Sequence, residues 1–467
     1  MKKFLKFLPV VVVIIFIALN VLSRSAAVIF NKVMAEQKML NGSVTVEEID
    51  ANIFGEVAFK NLLWKDFRGN TIVEIPAGSF KVKIFDVVTR NFQSTTIQEL
   101  NLTGAKVSLN LDENMQVDFI GHSQDFKKVS KEMKNNTGSW EKKISRESKT
   151  EEELKQAGEL RRKIQQERIE SGWKNFNLDG RKIKLKLNLD SCRIEIFYRA
   201  RHYLFSRVNL ETKIDTDDEM TLKVRTSTFG GTMIGRGMQI NGNIDFKPEI
   251  PQCNLAILLQ EVDPSSLGFG LNIHDEMTLS AYFSGIISKP VGKGMLKMKE
   301  LHIPGLDFKN VEGNIFYEDS ELNFTEVQAE VYGGKLFAHG DYNLDTRYYK
   351  IYGEGKKLKT YYVLPKSHLH CDVDLEITIQ SKGNAKETVT NGKFSSTRGR
   401  YSVLKIDKIS GKFKTAYNSI NFYDVEVDLG SHKISTDALS IEDKKLKLNP
   451  IKITDENGNL LMTYVRE

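Results

Sequence analysis

Cysteine is scarce in this chain: Cys192, Cys253 and Cys371 are the three in 467 residues, far apart and with no CxxC pair. An odd number at that spacing excludes a disulfide framework and a zinc knuckle. Proline is scarce too, nine residues or about 2% against the usual ~5%. No P-loop, HExxH, GxSxG or strand-borne GxGxxG occurs, so the short patterns of phosphate, zinc-protease, hydrolase and dinucleotide chemistry are missing. Charge of one sign is nearly absent as an excess, since 67 basic residues face 61 acidic ones for a net +6. A nucleic-acid binder relying on a large basic surplus is therefore excluded. The run Ser367-His368-Leu369-His370-Cys371-Asp372 has metal-like composition. His368, His370 and Asp372 would share one face of a strand, yet the run reads better as a polar loop entering the strand Val373–Ile379. We expect no enzyme, no catalytic residue, no cofactor and no metal.

One long hydrophobic run is present, and it stands at the start. Lys2, Lys3 and Lys6 precede Phe7–Ser23, seventeen residues without a charge. As a helix this run is about 25 Å long, at the short end for a hydrocarbon core. Leu8, Val11, Ile14, Ile15, Phe16, Ile17, Leu19 and Leu22 would form its lipid-facing surface. Lysines before the run orient the N-terminus to the cytoplasm and the rest of the chain across the membrane. Arg24 snorkels in this reading, and apolar character continues to Phe30. A cleaved signal peptide ending near Ser25-Ala26-Ala27 is the competing reading.

From residue 43 the dominant period is two. Val44–Val46, Ile53–Leu63, Thr71–Ile75, Ser79–Phe85, Thr96–Leu102, Lys106–Leu111 and Gln116–Ile120 alternate apolar and polar residues between Asn, Gly and Asp. That pattern predicts antiparallel strands joined by tight turns. The series resumes with Lys182–Leu189, Cys192–Tyr198, Val208–Ile214, Met220–Ser227, Cys253–Leu259 and Met277–Ser284. Between them, residues 122–180 break the pattern. Positions 141–170 hold eight acids and nine bases, with a thin stripe at Ala157, Leu160 and Ile164. The spacing predicts a solvated helix, either an exposed insertion or a cap on the sheet.

Segment 294–344 aligns without gaps on 392–442 at an offset of 98. Gly294, Leu306, Gly313, Asn323, Phe324, Val327 and Lys335 meet identical residues, and the apolar register continues through Ile315/Phe413, Leu322/Ile420, Ala329/Val427, Val331/Leu429 and Leu336/Ile434. A repeat of this kind predicts one extended, quasi-one-dimensional architecture. Phe229-Gly230-Gly231 and Tyr332-Gly333-Gly334 both read as hairpin turns, because glycine reaches positive φ.

Taken in order, these features resemble the AsmA-like family. The resemblance rests on the N-terminal anchor, on Val44-Thr45-Val46 leading to Ile53-Phe54-Gly55-Glu56-Val57-Ala58-Phe59-Lys60-Asn61-Leu62, on Leu102-Thr103-Gly104-Ala105-Lys106-Val107, on the aromatic-Gly-Gly pairs, and on Leu306-Asp307-Phe308 before Gly313-Asn314-Ile315. The segment 122–176 has no counterpart in that pattern. The resemblance implies a single-pass protein of the inner membrane whose bulk lies in the periplasm. It also implies a repeating β-groove that supports phospholipid transport between inner and outer membrane, with an outer-membrane or envelope protein as a further partner. The expected fold class is mainly β: a long curled antiparallel sheet forming an elongated groove, with an N-terminal transmembrane helix and a charged helical insertion. The expected organisation is an anchor over 1–40, an AsmA-like β region over 41–121, the insertion over 122–180 and the repetitive groove over 181–467.

A curled sheet with one apolar face makes a trough in which acyl chains avoid water. The candidate lining residues are Ile315, Leu322, Phe324, Val327, Ile377, Ile379, Phe413, Ile420, Phe422, Val425, Val427 and Leu429. Which parity faces inward is not readable from a single sequence. An alternative function is an assembly or chaperone factor for outer-membrane proteins acting through sheet edges. An array of filled β-sandwiches is a third possibility.

Overall fold

The computed structural model describes residues 27–28, 31, 42–52, 54–89, 95–111, 117–118, 150–178, 182–198, 201–267, 273–303, 306–363, 368–383, 387–417, 419–442 and 445–465. Of these, 69% are in strands and 10% in helices, so the chain is mainly β. The stretch Phe7–Ser23 and all eight anchor candidates lie outside the described residues. Among the described residues, no helix is long and apolar enough to cross a membrane.

The chain divides into two compact units. Unit one takes the described residues of 1–148 with Ile164–Val262 and Tyr282–Pro290. Unit two takes Lys149–Lys163, Asp263–Ala281 and Val291–Glu467.

Unit one starts from Ser43–Thr45 and Glu48–Ala51, which both pair with Glu56–Lys65, and that strand pairs with Thr71–Val82. The sequence suggests a break around Pro76-Ala77-Gly78, yet Thr71–Val82 is one strand. On one side its partner changes there, from Ile97–Thr103 to Lys106–Leu111. Pro76 sits at the changeover, where no ladder hydrogen bond is required of it. Lys184–Tyr198 is likewise one strand, kinked at Ser191 with φ 54°. It runs on through Arg201–Asp215, Glu219–Thr226 and Met238–Asp245 to Gln252–Val262, all antiparallel.

The purely antiparallel expectation fails at one place. Lys184–Tyr198 pairs in parallel with Ile97–Thr103 and with Lys106–Leu111, so the sheet is mixed. Parallel neighbours need a long crossover. The charged insertion supplies it, because it is the chain between Lys106–Leu111 and Lys184–Tyr198. Ala27, in a short helical stretch, joins the buried cluster of Val46, Phe59, Ile75, Ala105, Cys192 and Val208. Asn31 fixes that stretch to the sheet: its Nδ2 donates to the Val46 carbonyl and its Oδ1 accepts from the Val46 amide, both at 2.8 Å.

The helix of the insertion spans Glu151–Leu178. It opens with a capping box. Thr150 Oγ1 accepts from the Glu153 amide at 3.3 Å, and Glu153 Oε2 accepts from the Thr150 amide at 2.8 Å. Glu151, Glu152 and Glu153 also suit the positive end of the helix dipole. The stripe expected at Ala157, Leu160 and Ile164 is not the packed face, since Leu160 is 60% exposed. In unit two the packed side is Leu154, Gly158 and Arg162, and Arg162 donates to Ser320 Oγ at 2.8 Å and pairs with Asp345. In unit one Glu170 accepts from Ser288 Oγ at 2.9 Å and Lys174 pairs with Glu249 at 3.4 Å. Every one of these partners lies in or beside a hairpin turn, so the helix docks polar residues on turns; Leu154 is buried beside them, while Leu160, Ile164 and Ile169 are exposed.

Unit two is an antiparallel meander. From Val291–Ile303 each strand pairs with the next through Leu306–Glu318, Glu321–Val331, Gly334–Asn343, Tyr349–Lys359, Leu369–Ser381 and Val389–Tyr401. The ladder continues through Lys408–Ala416, Ser419–Asp428, His432–Glu442 and Ile451–Asp455 to Leu460–Tyr464. Strand boundaries recur at the offset of 98: Val291–Ile303 maps onto Val389–Tyr401, Leu306 onto Leu404, and Glu321 onto Ser419. Backbone irregularities recur as well. Glu326 and Asp424 both have φ 52°, and Asp319 and Tyr417 have φ 48° and 45°. Of the two aromatic-Gly-Gly pairs, only Tyr332-Gly333 forms a hairpin turn, with positive φ at both residues and Val331 opposite Gly334. Phe229-Gly230-Gly231 lies within a strand against Tyr203–Phe205, and its turn comes after it.

Thr150→Ala removes one capping oxygen and should cost about 1 kcal/mol of helix stability. Amides of the first helical turn should then exchange faster with deuterium while strand amides are unchanged. Unchanged exchange at Glu151–Leu154 would show that the box does not hold the helix start.

Candidate functional site

Directly opposed residues of an antiparallel pair present their side chains on the same face, so the register of unit two resolves the parity. Ile315 opposes Phe324, and Tyr317 opposes Leu322. Val327 opposes Ala338, Ile351 opposes Ile379, and Gly353 opposes Ile377. Gly392 opposes Phe413, Phe413 opposes Phe422, Thr415 opposes Ile420, Ile409 opposes Val427, and Val425 opposes Thr436. Eleven of the twelve candidates therefore share one face. Leu429 lies one residue past the end of Ser419–Asp428.

The same face carries the repeat-matched pair Leu336 and Ile434, and it gains residues not singled out in the sequence: Ile351, Leu375, Phe394, Ile409, Leu439, Ile451, Ile453 and Met462. Strict alternation was the available signal for each, but the bulges shift the phase between strands. The opposite face carries Lys297, Glu312, Lys356, Glu354, Glu376, Lys393 and Lys412.

Glycines let the apolar face accept large side chains. Phe394 opposes Gly411 and Phe413 opposes Gly392. A Cβ on Gly411 would lie 2.7 Å from Phe394 Cζ and 3.2 Å from Val425 Cγ2, and one on Gly392 would overlap the Phe413 ring. Gly313 repeats the arrangement one repeat earlier, 2.7 Å from Val327 Cγ2. The rings of Phe394, Phe413 and Phe422 form a mutual cluster with centroids 6.2 to 6.5 Å apart, the Phe394–Phe422 pair edge-on at 84°. These spacings suit quadrupolar ring contacts.

Coverage of this face is uneven. At its start a closed core holds Met277, Leu296, Met298, Phe308, Val311, Ala329, Val331 and Leu358, each less than 10% exposed, with Leu267 and Ile273 packed over it. Ile315, Phe324 and Val327 border that core. Further along the meander the cover ends. Ile377, Ile379, Phe413, Phe422, Val425 and Val427 are half-buried, Ile420 is 38% exposed, and Met462 is 58% exposed. Contiguous apolar surface left without cover is uncommon on monomeric proteins.

The segment covering the core is tied down by a histidine. His302 donates its backbone amide to Asp275 Oδ2 at 2.7 Å, and its Nδ1 meets Asp275 Oδ1 at 2.7 Å. The side-chain hydrogen bond and charge of Asp275 raise the His302 pKa above its ordinary 6.5. The His302 amide and imidazole hold Asp275 below its ordinary 3.8. Among the described residues no cluster of three or more His, Cys, Asp or Glu is placed to hold a metal. A depression of about 840 Å³ opens on the polar face. It lies between the row Phe337, Glu354, Glu376, Lys393, Lys412 and the row His339, Tyr352, Thr378, Asn391, Lys414. Between those rows the candidates Val327, Ile377 and Phe413 also line it.

Comparison with family descriptions, with curated proteins and with solved structures returned no match to this chain.

Two outcomes follow. Gly411→Ala should destabilise unit two by about 1–3 kcal/mol through overpacking, whereas Gly230→Ala, with nothing within 4 Å of its Cβ, should be tolerated; equal effects in thermal melts would contradict the packing. The His302–Asp275 contribution is complete between 3.8 and 6.5. It is lost as pH rises through the elevated histidine value, and lost again as pH falls through the depressed aspartate value. Melting temperature should therefore decline on the alkaline side of 6.5, and His302→Asn should flatten that limb. A decline of the same size in the variant would show that His302 is not its source.

Proposed function

We propose that this protein binds phospholipid on the apolar face of its sheet and supports lipid movement between the inner and outer membranes. The observation that carries this reading is the register-defined apolar face of unit two, closed at its start and uncovered along its later strands. Twelve strands in sequence at ~4.8 Å spacing extend about 50 Å measured across the sheet, which is longer than an acyl chain. Lipid tails laid over Ile377, Phe413, Phe422 and Val425 would leave water, and each Å² so removed contributes ~25 cal/mol. A carrier of this type needs similar affinity at successive positions and no covalent step. The two copies at the offset of 98 support it, since they present the same apolar register twice.

In this proposal the sheet curls into a groove, as the resemblance to the AsmA-like family implies. The N-terminal run anchors the chain in the inner membrane, and the bulk lies in the periplasm with an envelope protein as a further partner. A second reading is favoured by one observation. Leu460–Tyr464 is exposed along its whole length and pairs, among the described residues, with Ile451–Asp455 alone. An exposed apolar edge is a template for strand addition, as an assembly factor for outer-membrane proteins would use.

Mass spectrometry of lipid extracted from the purified full chain tests the proposal. Wild type should carry phospholipid. Ile420→Asp with Ile441→Asp, both at exposed positions, should remove most of it while preserving the fold, and Phe324→Asp with Phe422→Asp should remove it more completely. A wild-type protein free of lipid, or variants that retain it, would favour the strand-addition reading.

A further inference from the structure

The two repeats provide an internal comparison at the hairpin that ends their first strand. In the first repeat the sequence reads Glu300-Leu301-His302-Ile303-Pro304-Gly305-Leu306-Asp307. In the second, at the offset of 98, it reads Arg398-Gly399-Arg400-Tyr401-Ser402-Val403-Leu404-Lys405. Pro-Gly is ordinary turn chemistry. Ser402-Val403 is not, because a β-branched residue gains nothing locally at a tight turn. Both acids of the first copy, Glu300 and Asp307, are replaced by bases, Arg398 and Lys405.

The structure shows what this second tip presents. Tyr401 opposes Leu404 and Arg400 opposes Lys405, so the hairpin has an apolar side and a basic side. Tyr401 also opposes Leu369, which places the apolar side at the end of the lipid-facing sheet surface. Residues 400–405 are all exposed, and Val403 is 93% exposed. Two more tyrosines stand at the same end of the meander. The rings of Tyr361 and Tyr362 lie with centroids 4.3 Å apart and planes tilted by 32°, Tyr361 lies 6.3 Å from His370, and His370 opposes Arg400. Both tyrosines are exposed, at 39% and 53%. The acids flanking the tip in sequence are Asp372 and Asp407; Asp372 faces Lys359 across the ladder, and its charge reaches Tyr361.

We infer that the hairpin Arg398–Lys405, with Tyr361 and Tyr362, docks this end of unit two on an anionic lipid bilayer surface. Each part has the chemistry of that boundary. Tyrosine favours the headgroup level, where its ring is in apolar surroundings and its hydroxyl is wet. Lysine and arginine are drawn to anionic headgroups within a Debye length of the surface. An aliphatic residue at the tip reaches past them into the acyl region, which gives Val403 the reason that turn chemistry does not. The inference rests on the lipid-carrying reading for its purpose: a tail leaving the apolar face would pass Leu369, Tyr401 and Leu404 into the bilayer.

The test uses the full chain, its apolar N-terminal stretch shielded in nanodiscs of phosphatidylcholine. The three native cysteines are buried, so an environment-sensitive fluorophore can be placed on Val403→Cys and, as a control at the opposite strand ends, on Glu318→Cys. Acceptor vesicles of brominated phosphatidylglycerol with phosphatidylethanolamine should quench the probe at 403 and not at 318, and brominated phosphatidylcholine vesicles should quench neither. Arg398→Glu with Arg400→Glu and Lys405→Glu should raise the vesicle concentration needed on the order of a hundredfold. Val403→Ser should weaken docking while leaving its salt dependence intact. A probe at 403 that stays unquenched by anionic vesicles, or that phosphatidylcholine quenches equally, overturns the inference. Lipid extracted from the wild-type chain separates the two readings: bound phospholipid with no quenching at 403 leaves the carrier standing and removes the docking hairpin, and quenching at 403 without bound phospholipid does the reverse.

Discussion

A sheet keeps an apolar face only while every strand holds its phase against its neighbours, because a slip by one residue moves all side chains to the other side. In unit two that phase is held through irregularities. Glu326 and Asp424, each at φ 52°, insert a residue without letting the apolar series change sides, so Phe324 and Val327 share a face, as do Phe422 and Val425. The bulged residues are acidic and point their charge away from the apolar series; Asp424 pairs with Lys412 at 2.8 Å. Bulges increase local twist and bend the strand that carries them. Placing them at equivalent points of two repeats gives both copies the same geometry.

The apolar face then raises a question of cover. A half-buried row of Phe, Ile and Val in water is unfavourable, and a chain can remedy this by closing a core or by holding a ligand. Unit two does the first at its beginning, where Leu267 and Ile273 pack against the buried cluster that holds Phe308 and Val331. Along its later strands the glycines at 392 and 411 make room for rings instead of for a second layer. Small residues opposite large ones let the rings lie across the neighbouring strand, since a Cβ at either glycine would meet a phenylalanine ring.

Much of this was legible from the residues. Period-two alternation marked most strands, and the offset of 98 marked the two copies before any pairing was known. Four things were not. Parity was invisible, because alternation defines two faces and only the register says which residues meet. The parallel pairings of Lys184–Tyr198 were invisible because they depend on the path of a charged segment whose own composition says only that it is solvated. The packed side of Glu151–Leu178 was missed for a related reason: it is made of Leu154, Gly158 and Arg162, and hydrophobic periodicity does not find a helix that docks through an arginine on a buried serine and an aspartate. Joined strands such as Thr71–Val82 were divided in the sequence because Pro76 normally ends a strand, and it is tolerated here where the partner changes.

The claim that the apolar face is a lipid-binding surface makes a prediction about parity that no ordinary core or edge-pairing protein would meet. A photoreactive amino acid introduced singly at 420, 421, 422 and 423 of the full chain, followed by irradiation in cells and mass spectrometry of adducts, reads it directly. Phospholipid adducts at 420 and 422 with none at 421 and 423 are the expected result. Adducts at all four positions, or at none, would contradict the account.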